Sequence, residues 1–170
     1  MVAIPAVLLL GILKGVLVAV LVSLLLLIRR GAHPHVAFLG RIPGTRSYSD
    51  MERHPENEAD PGVLVFRVEA SLLYFNVEHV RDAVRRKIRS APGALKLVVC
   101  DLSASPAVDL AGARMLAAMH AELMAAGVRL RLVQAHAAVR DLLRADGLED
   151  RVGHLGRRIS VADAIDEFRG

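Results

Sequence analysis

The chain has no tryptophan, one cysteine and few aromatic residues, only 4% of its 170 positions. Each scarcity excludes something. A lone cysteine, Cys100, rules out an internal disulfide and fits a reducing compartment. Proteins that read nucleic acids combine a concentrated basic patch with aromatic side chains on which bases stack. Here aromatics are scarce and acidic residues are spread through the polar part, so no nucleic-acid partner is expected. The net charge of +4 and pI near 9.8 point to anionic surfaces instead. There is no P-loop, no G-x-G-x-x-G and no G-x-S-x-G, and with them go the common phosphate-cradling and nucleophile-elbow signatures. A triad of Ser103 or Ser105 with His120 or His136 and an aspartate can be written down. With seven histidines in the chain such a set is generic, so no enzyme and no catalytic residue are expected. His33 and His35 lack the cysteines or carboxylates that would complete a metal site. No metal and no cofactor are expected.

What is present divides the chain. Residues 2–28 are almost entirely apolar, longer than the roughly 20 residues a helix needs to cross a bilayer core, with Arg29 and Arg30 directly after. No basic start or small-residue cleavage site marks a signal peptide. By the positive-inside rule the two arginines place the C-terminal side in the cytoplasm of a cell whose inner (plasma) membrane holds the segment. Lys14 interrupts the run, flanked by Gly11 and Gly15. A charge at the centre of a span costs about 2.5–3.5 kcal/mol, so a turn between two membrane-embedded pieces is the favoured reading, with one continuous span as the alternative. The expected organisation is a transmembrane segment over 1–30, a juxtamembrane linker over 31–61, in which a short extended run over 36–39 is followed by turn signals at Gly40 and Pro43-Gly44, and a cytoplasmic domain over 62–170.

From Gly62 onward strands alternate with helices, the pattern of an α/β fold with parallel core strands flanked by helices. The domain is organised around Leu95–Gly112. Leu97, Val98, Val99 and Cys100 read as a strand buried on both faces, with Cys100 a small buried hydrophobe. A loop of small residues follows, and Asp109 is placed to cap a helix over 110–126 that ends at Gly127. Before it, Asn76 is placed to cap a helix running to Ser90. Its apolar stripe is Val77, Val80, Val84 and Ile88, and its outer face carries Arg81, Arg85, Arg86 and Arg89. Further on, a strand is expected at 128–133, a short helix at 136–144, an extended piece near 152–155, and a last helix from Val161 capped by Ser160. Loops after parallel strands are where α/β folds place function. Asp101, Ser103, Ser105, Asp109 and Gly112 are therefore the candidate partner-binding or regulatory loop. Met115, Met119 and Met124 either pack in the core or offer an adaptable interface.

The segment VVCDLSASPAVDLAGARML, with the order of elements around it, resembles the STAS domain, the module related to bacterial anti-sigma-factor antagonists. The whole chain resembles the C-terminal end of a SulP-type anion transporter. The apolar helix runs into HPHVAFLGRIPGT, then YSDMERHPE, then a strand and LYFNVEHVRDAV. Tyr74, Phe75, Asn76 and Glu78 match the family pattern there. The resemblance implies a regulatory and assembly domain attached to a membrane transport domain for sulfate or a related anion. Its partners would be the bilayer, that transport domain or a second copy, and a soluble regulator. One or two apolar helices cannot enclose an anion path, so the chain is expected to be a fragment or a piece that works with others. The alternative is a membrane-tethered STAS protein that binds a signalling partner. The serine phosphorylated in soluble antagonists aligns with Ala111, which removes phosphorylation at that position.

Overall fold

The computed structural model describes residues 3–156 and 158–170, with side chains from Gly11 onward; Met1 and Val2, the first residues of the apolar run, lie outside the described residues. Two compact units are present, one ending at His33 and the other spanning Pro34–Gly170.

The first unit is a single helix, α1 (Ala3–Ala32). The turn expected at Lys14 is not formed, and neither Gly11 nor Gly15 has a positive φ. The reason is energetic. Each glycine costs about 1 kcal/mol relative to alanine in a helix, whereas a break in an apolar setting would orphan backbone N–H and C=O groups at several kcal/mol each. Gly11–Ala32 has a mean hydropathy of 2.7, enough to cross a membrane by length and composition. Its large side chains from Ile12 to Ile28 are all exposed. Arg29 and Arg30 occupy the last turn, where cations complement the helix dipole.

The second unit is built on a five-stranded sheet. Its strands are β1 (Val36–Arg41), β2 (Tyr48–Asp50), β3 (Val63–Val68), β4 (Leu97–Asp101) and β5 (Arg129–Val133), ordered β2-β1-β3-β4-β5. β3, β4 and β5 are parallel, because α2 (Val77–Arg89) and α3 (Leu110–Ala125) make the crossovers that parallel neighbours require. β1 runs antiparallel to both β2 and β3. The stretch 31–61, expected as a linker, therefore supplies two strands, and the compact unit begins at Pro34 rather than Gly62. The cause lies in Val36-Ala37-Phe38-Leu39. This apolar run sits between two strands and is covered on both faces, as β4 is.

Alternation along β4 divides the core. Val98 and Cys100 face a large cluster with Phe66, Val80, Val84 and Leu116 under α2 and α3, extended by α4 (Ala137–Ala145). Leu97 and Val99 face a smaller cluster with Leu39, Val65 and Val133, closed by Val161 and Ile165 of the last helix, α6 (Val161–Arg169). Between α4 and α6 lies the short α5 (Glu149–Val152), and the extended piece expected near 152–155 is not a strand: Val152 ends α5 and residues 153–155 are irregular. There Glu149 takes Arg144 and the Leu155 N–H, 2.9 Å, which winds the chain into a turn. Met115 and Met119 pack in the core and Met124 is exposed, so two of the three methionines are structural.

The β1–β2 hairpin contains a pH-dependent pair. His35 Nε2 lies 3.0 Å from Asp50 Oδ2, and Asp50 Oδ1 accepts from the Glu52 N–H at 2.9 Å. Burial pushes the Asp50 carboxyl up, but the Glu52 N–H and His35 outweigh it and hold the pKa below its ordinary value. A folded pKa below the unfolded one gives stability that is present above the unfolded value and lost as pH falls through the folded one. Asp50→Asn is therefore expected to lower thermal stability at pH 7, with the gap from wild type closing below about pH 4. Melts of both chains across pH 7 to 3 check this; a gap independent of pH would exclude it.

Candidate functional site

Two loops meet at the C-terminal end of the parallel strands, the β3–α2 loop and the β4–α3 loop. A parallel bridge joins Leu72 to Val108, with Leu72 N–H donating to Ala107 O and Asp109 N–H to Leu72 O, both at 3.0 Å. Asp109 completes the junction. Its Oδ1 accepts from the Gly112 N–H at 2.8 Å, the expected N-cap of α3, and its Oδ2 accepts from the Tyr74 N–H at 2.8 Å. One carboxylate thus serves a helix start and a second loop. Gly112 sits where a Cβ would lie 2.7 Å from Leu72 O and 2.8 Å from Val108 Cγ1. Only a hydrogen fits there, and that is why glycine follows the cap.

The rest of the loop is pinned from below. Asp101 is buried and accepts from the Ser103 N–H at 2.9 Å, with Arg67 Nη1 3.8 Å from its Oδ2. Ser105 is fully buried, its hydroxyl within reach of Ala70 O (2.9 Å) and Val68 O (3.2 Å). His136 Nε2 lies 2.9 Å from the Ser103 carbonyl oxygen, not from its hydroxyl. The Ser105 hydroxyl faces backbone carbonyls rather than a base, Ser103 is exposed, and the Cys100 thiol is pushed upward in pKa by burial and then by Asp101. The loop is built for shape.

Asn76 occupies the N-cap position of α2, but its side chain does not cap the helix. Instead Oδ1 accepts from the Leu73 N–H at 3.0 Å and Nδ2 donates to Ser71 O at 2.9 Å, which fixes the loop that carries Tyr74 and Phe75. Those two rings pack edge to face, centroids 5.3 Å apart, and point outward. Tyr74 is 74% exposed, Phe75 41% and neighbouring Leu110 49%. Two aromatic side chains on a rigid loop and Leu110 at the start of α3 form a patch that the other described residues of the second unit leave exposed. A groove runs from it between α2 and α3, lined by Val77, Arg81, Arg114 and Met115. Glu78 pairs with Arg81, yet Arg81 Nε is buried with no acceptor among the described residues. On the outer face of α2, Arg85 forms a two-point pair with Glu122 of α3, and Arg86 and Arg89 are exposed.

The structure thus brings Asp101, Ser103, Ser105, Asp109 and Gly112 together with Tyr74, Phe75, Asn76 and Glu78 on one end of the second unit. Arg29 and Arg30 belong to the first. Sequence reasoning missed Leu110 and Arg114, and it put Arg81 on the outer face of α2, whereas the side chain lines the groove with its Nε buried. The usable signals were an apolar residue at the first position of a capped helix and an arginine three residues after Glu78. His35 pairs with Asp50, and His33 Nδ1 lies 3.2 Å from Arg29 O.

Comparison with known proteins agrees with this architecture. The STAS domain model matches residues 54–164. A probable sulfate transporter of Mycobacterium tuberculosis is 33% identical over 164 residues, which are 96% of this chain and 29% of the relative; the chain spans under a third of that protein's length. Among solved structures, the murine Solute Carrier 26 family member A9 anion transporter aligns with a TM-score of 0.78 at 22% identity, over 92% of this chain and 26% of that one. A putative anti-sigma factor antagonist of Thermotoga maritima aligns at 0.58 and 15%, over 66% of this chain and 92% of that one. These two likenesses concern the fold. A mixed five-stranded sheet with its helices on both faces, a family model matching over most of that unit, and SulP-type sulfate transporters as homologues along 96% of the sequence place this chain in the STAS domain family.

Proposed function

We propose that this chain is the regulatory and assembly region of a SulP-type transporter for sulfate or a related anion. In this reading α1 lies in the plasma membrane, the STAS unit is cytoplasmic, and the chain neither transports nor catalyses by itself. The observation that carries the proposal is the exposed patch of Tyr74 and Phe75, on a loop locked by Asp109 and Asn76, with Leu110 at the start of α3. Exposed aromatic side chains on a rigid frame suit a protein interface, where such anchors contribute most of the binding. The patch would take the transport domain or a second copy of the chain. The similarity to a sulfate transporter, which runs through the apolar helix as well as the STAS unit, supports a transporter partner over a free signalling protein.

A photo-crosslinking side chain in place of Tyr74, in the full chain within its native membrane, tests this. Crosslinks to a polytopic membrane protein or to the chain itself are expected. Crosslinks to a soluble signalling protein alone would establish the tethered, antagonist-like alternative, and none at all would remove the patch as an interface. Arg29 and Arg30 support a cytoplasmic C-terminus. A reporter active only outside the cytoplasm, fused after Gly170, should stay silent; activity there would reverse the orientation.

A further inference from the structure

We infer that the second unit holds a binding site for an amphipathic anion, one acidic head on an apolar tail, at the end of the sheet remote from the patch. Its origin is a divergence between two strands. The β1–β3 ladder runs from Val36↔Val68 to Leu39↔Val65 and stops there, although β3 begins two residues earlier, at Val63. The last residues of β1 pair with β2 instead, Gly40 with Ser49 and Arg41 with Tyr48, and Arg41 bridges to Glu58. Gly40 is held on that side by a close approach, with a Cβ position only 2.9 Å from Met51 Cγ. The start of β3 and the segment before it are thereby left apart from β1, and a cavity of about 440 Å³ opens between them, bounded on its far side by the α2–β4 connection.

The lining has the composition of a small-molecule site, an apolar body with a few polar groups. Phe38, Leu64, Leu95 and Pro92 supply apolar walls. Two ionic features define the charge of the occupant. The Asp60 carboxylate is already satisfied, by the Tyr48 hydroxyl at 2.6 Å and Arg169 Nη2 at 2.7 Å, so it presents no unbalanced negative charge. The Lys87 ammonium sits 5.2 Å over the Phe38 ring and has no carboxylate partner among the described residues. A cation at the rim of an apolar cavity selects a ligand with one anionic head and an apolar tail. The volume suits a tail of medium length. The site shares no residue with the Tyr74 patch, so the two readings stand or fall separately.

Octanoate is the probe. The full chain in nanodiscs of zwitterionic lipid would be dialysed against labelled octanoate, with empty nanodiscs as background. Saturable binding near one per chain is expected, about tenfold weaker in Lys87→Gln and abolished in Ala91→Phe, which fills the cavity from the α2–β4 connection. Octanol, which has the tail without the charge, should bind as weakly to wild type as octanoate does to Lys87→Gln. Unchanged melting of both variants shows that they fold. No saturable uptake above empty nanodiscs, equal binding of octanol and octanoate, or binding indifferent to both substitutions would overturn the site. A repeat in nanodiscs containing phosphatidic acid distinguishes sources. Retained octanoate binding assigns the site to a free carboxylate, whereas competition assigns the same chemistry to a membrane lipid.

Discussion

Val98→Asp is expected to leave the second unit unfolded while α1 remains helical. Val98 is the second residue of β4, which has β3 on one side and β5 on the other, and is fully buried in the larger core. A carboxylate there has no cation within the cluster, which is formed of aliphatic, aromatic and thiol side chains. An unpaired buried charge costs several kcal/mol, and the group escapes by taking up a proton rather than by finding a partner. The lost packing of the valine adds on the order of 2 kcal/mol. Against a domain stability of roughly 5–15 kcal/mol, the sum takes most or all of it. Limited proteolysis of the full chain in detergent would read the outcome. Cleavage throughout 34–170 with a protected N-terminal helix is expected. A proteolysis pattern like that of wild type would refute two-sided burial of β4.

The second large effect is at Gly112. An added methyl would meet Leu72 O and Val108 Cγ1 at 2.7 and 2.8 Å, and the first of these is backbone that also accepts the Asp109 N–H. Because neither the bridge nor the cap can yield without the other, Gly112→Ala is expected to cost about 1–3 kcal/mol, and Gly112→Val more. Gly93, whose added Cβ would meet nothing, is the control, with Gly93→Ala within about 0.5 kcal/mol of wild type. Thermal melts of the three variants should fall in the order Gly93→Ala, Gly112→Ala, Gly112→Val. Equal melting at both glycines would mean that the two loops are not in contact.

The sequence was most legible where one physical requirement acted alone. The apolar run of β4, the cap at Asp109 and the Ser160 cap of α6 each follow from a local rule, and each stands where the pattern puts it. Legibility failed where long-range pairing decided. Val36–Leu39 carries the same two-sided apolar signature as β4, but the turn signals around it read as a connector until its partners β2 and β3 are seen. Gly11 and Gly15 suggested a break because their local cost is visible, whereas the larger cost of opening the backbone in an apolar medium is not written at any one residue. Asn76 looked like a cap and is one by position, but its side chain is taken by Leu73 and Ser71. The candidate loop was identified by type, while its coupling to Tyr74 through a shared carboxylate required the fold.

The two faces of the sheet are unequally defended, and this sets an order of events. One face lies under two long helices and their extensions. The other has α6, nine residues long, fastened at its margins by ion pairs. Arg46 reaches Asp163 and Asp166, both at 2.8 Å, Arg131 reaches Glu167 at 2.6 Å and Arg169 reaches Asp60 at 2.7 Å. The Arg46 pairs are exposed at both ends, and such pairs contribute about 0–1 kcal/mol each and weaken as salt is raised. Amide exchange in the second unit should therefore be hierarchical, with α6 releasing its protons in a local opening before the sheet releases any. Each such opening uncovers Val65, Val99 and Val133 together, a flat aliphatic surface on a sheet whose β5 edge is already unpaired. High ionic strength, which lengthens the time α6 spends away, is thus the condition under which this domain would begin to self-associate.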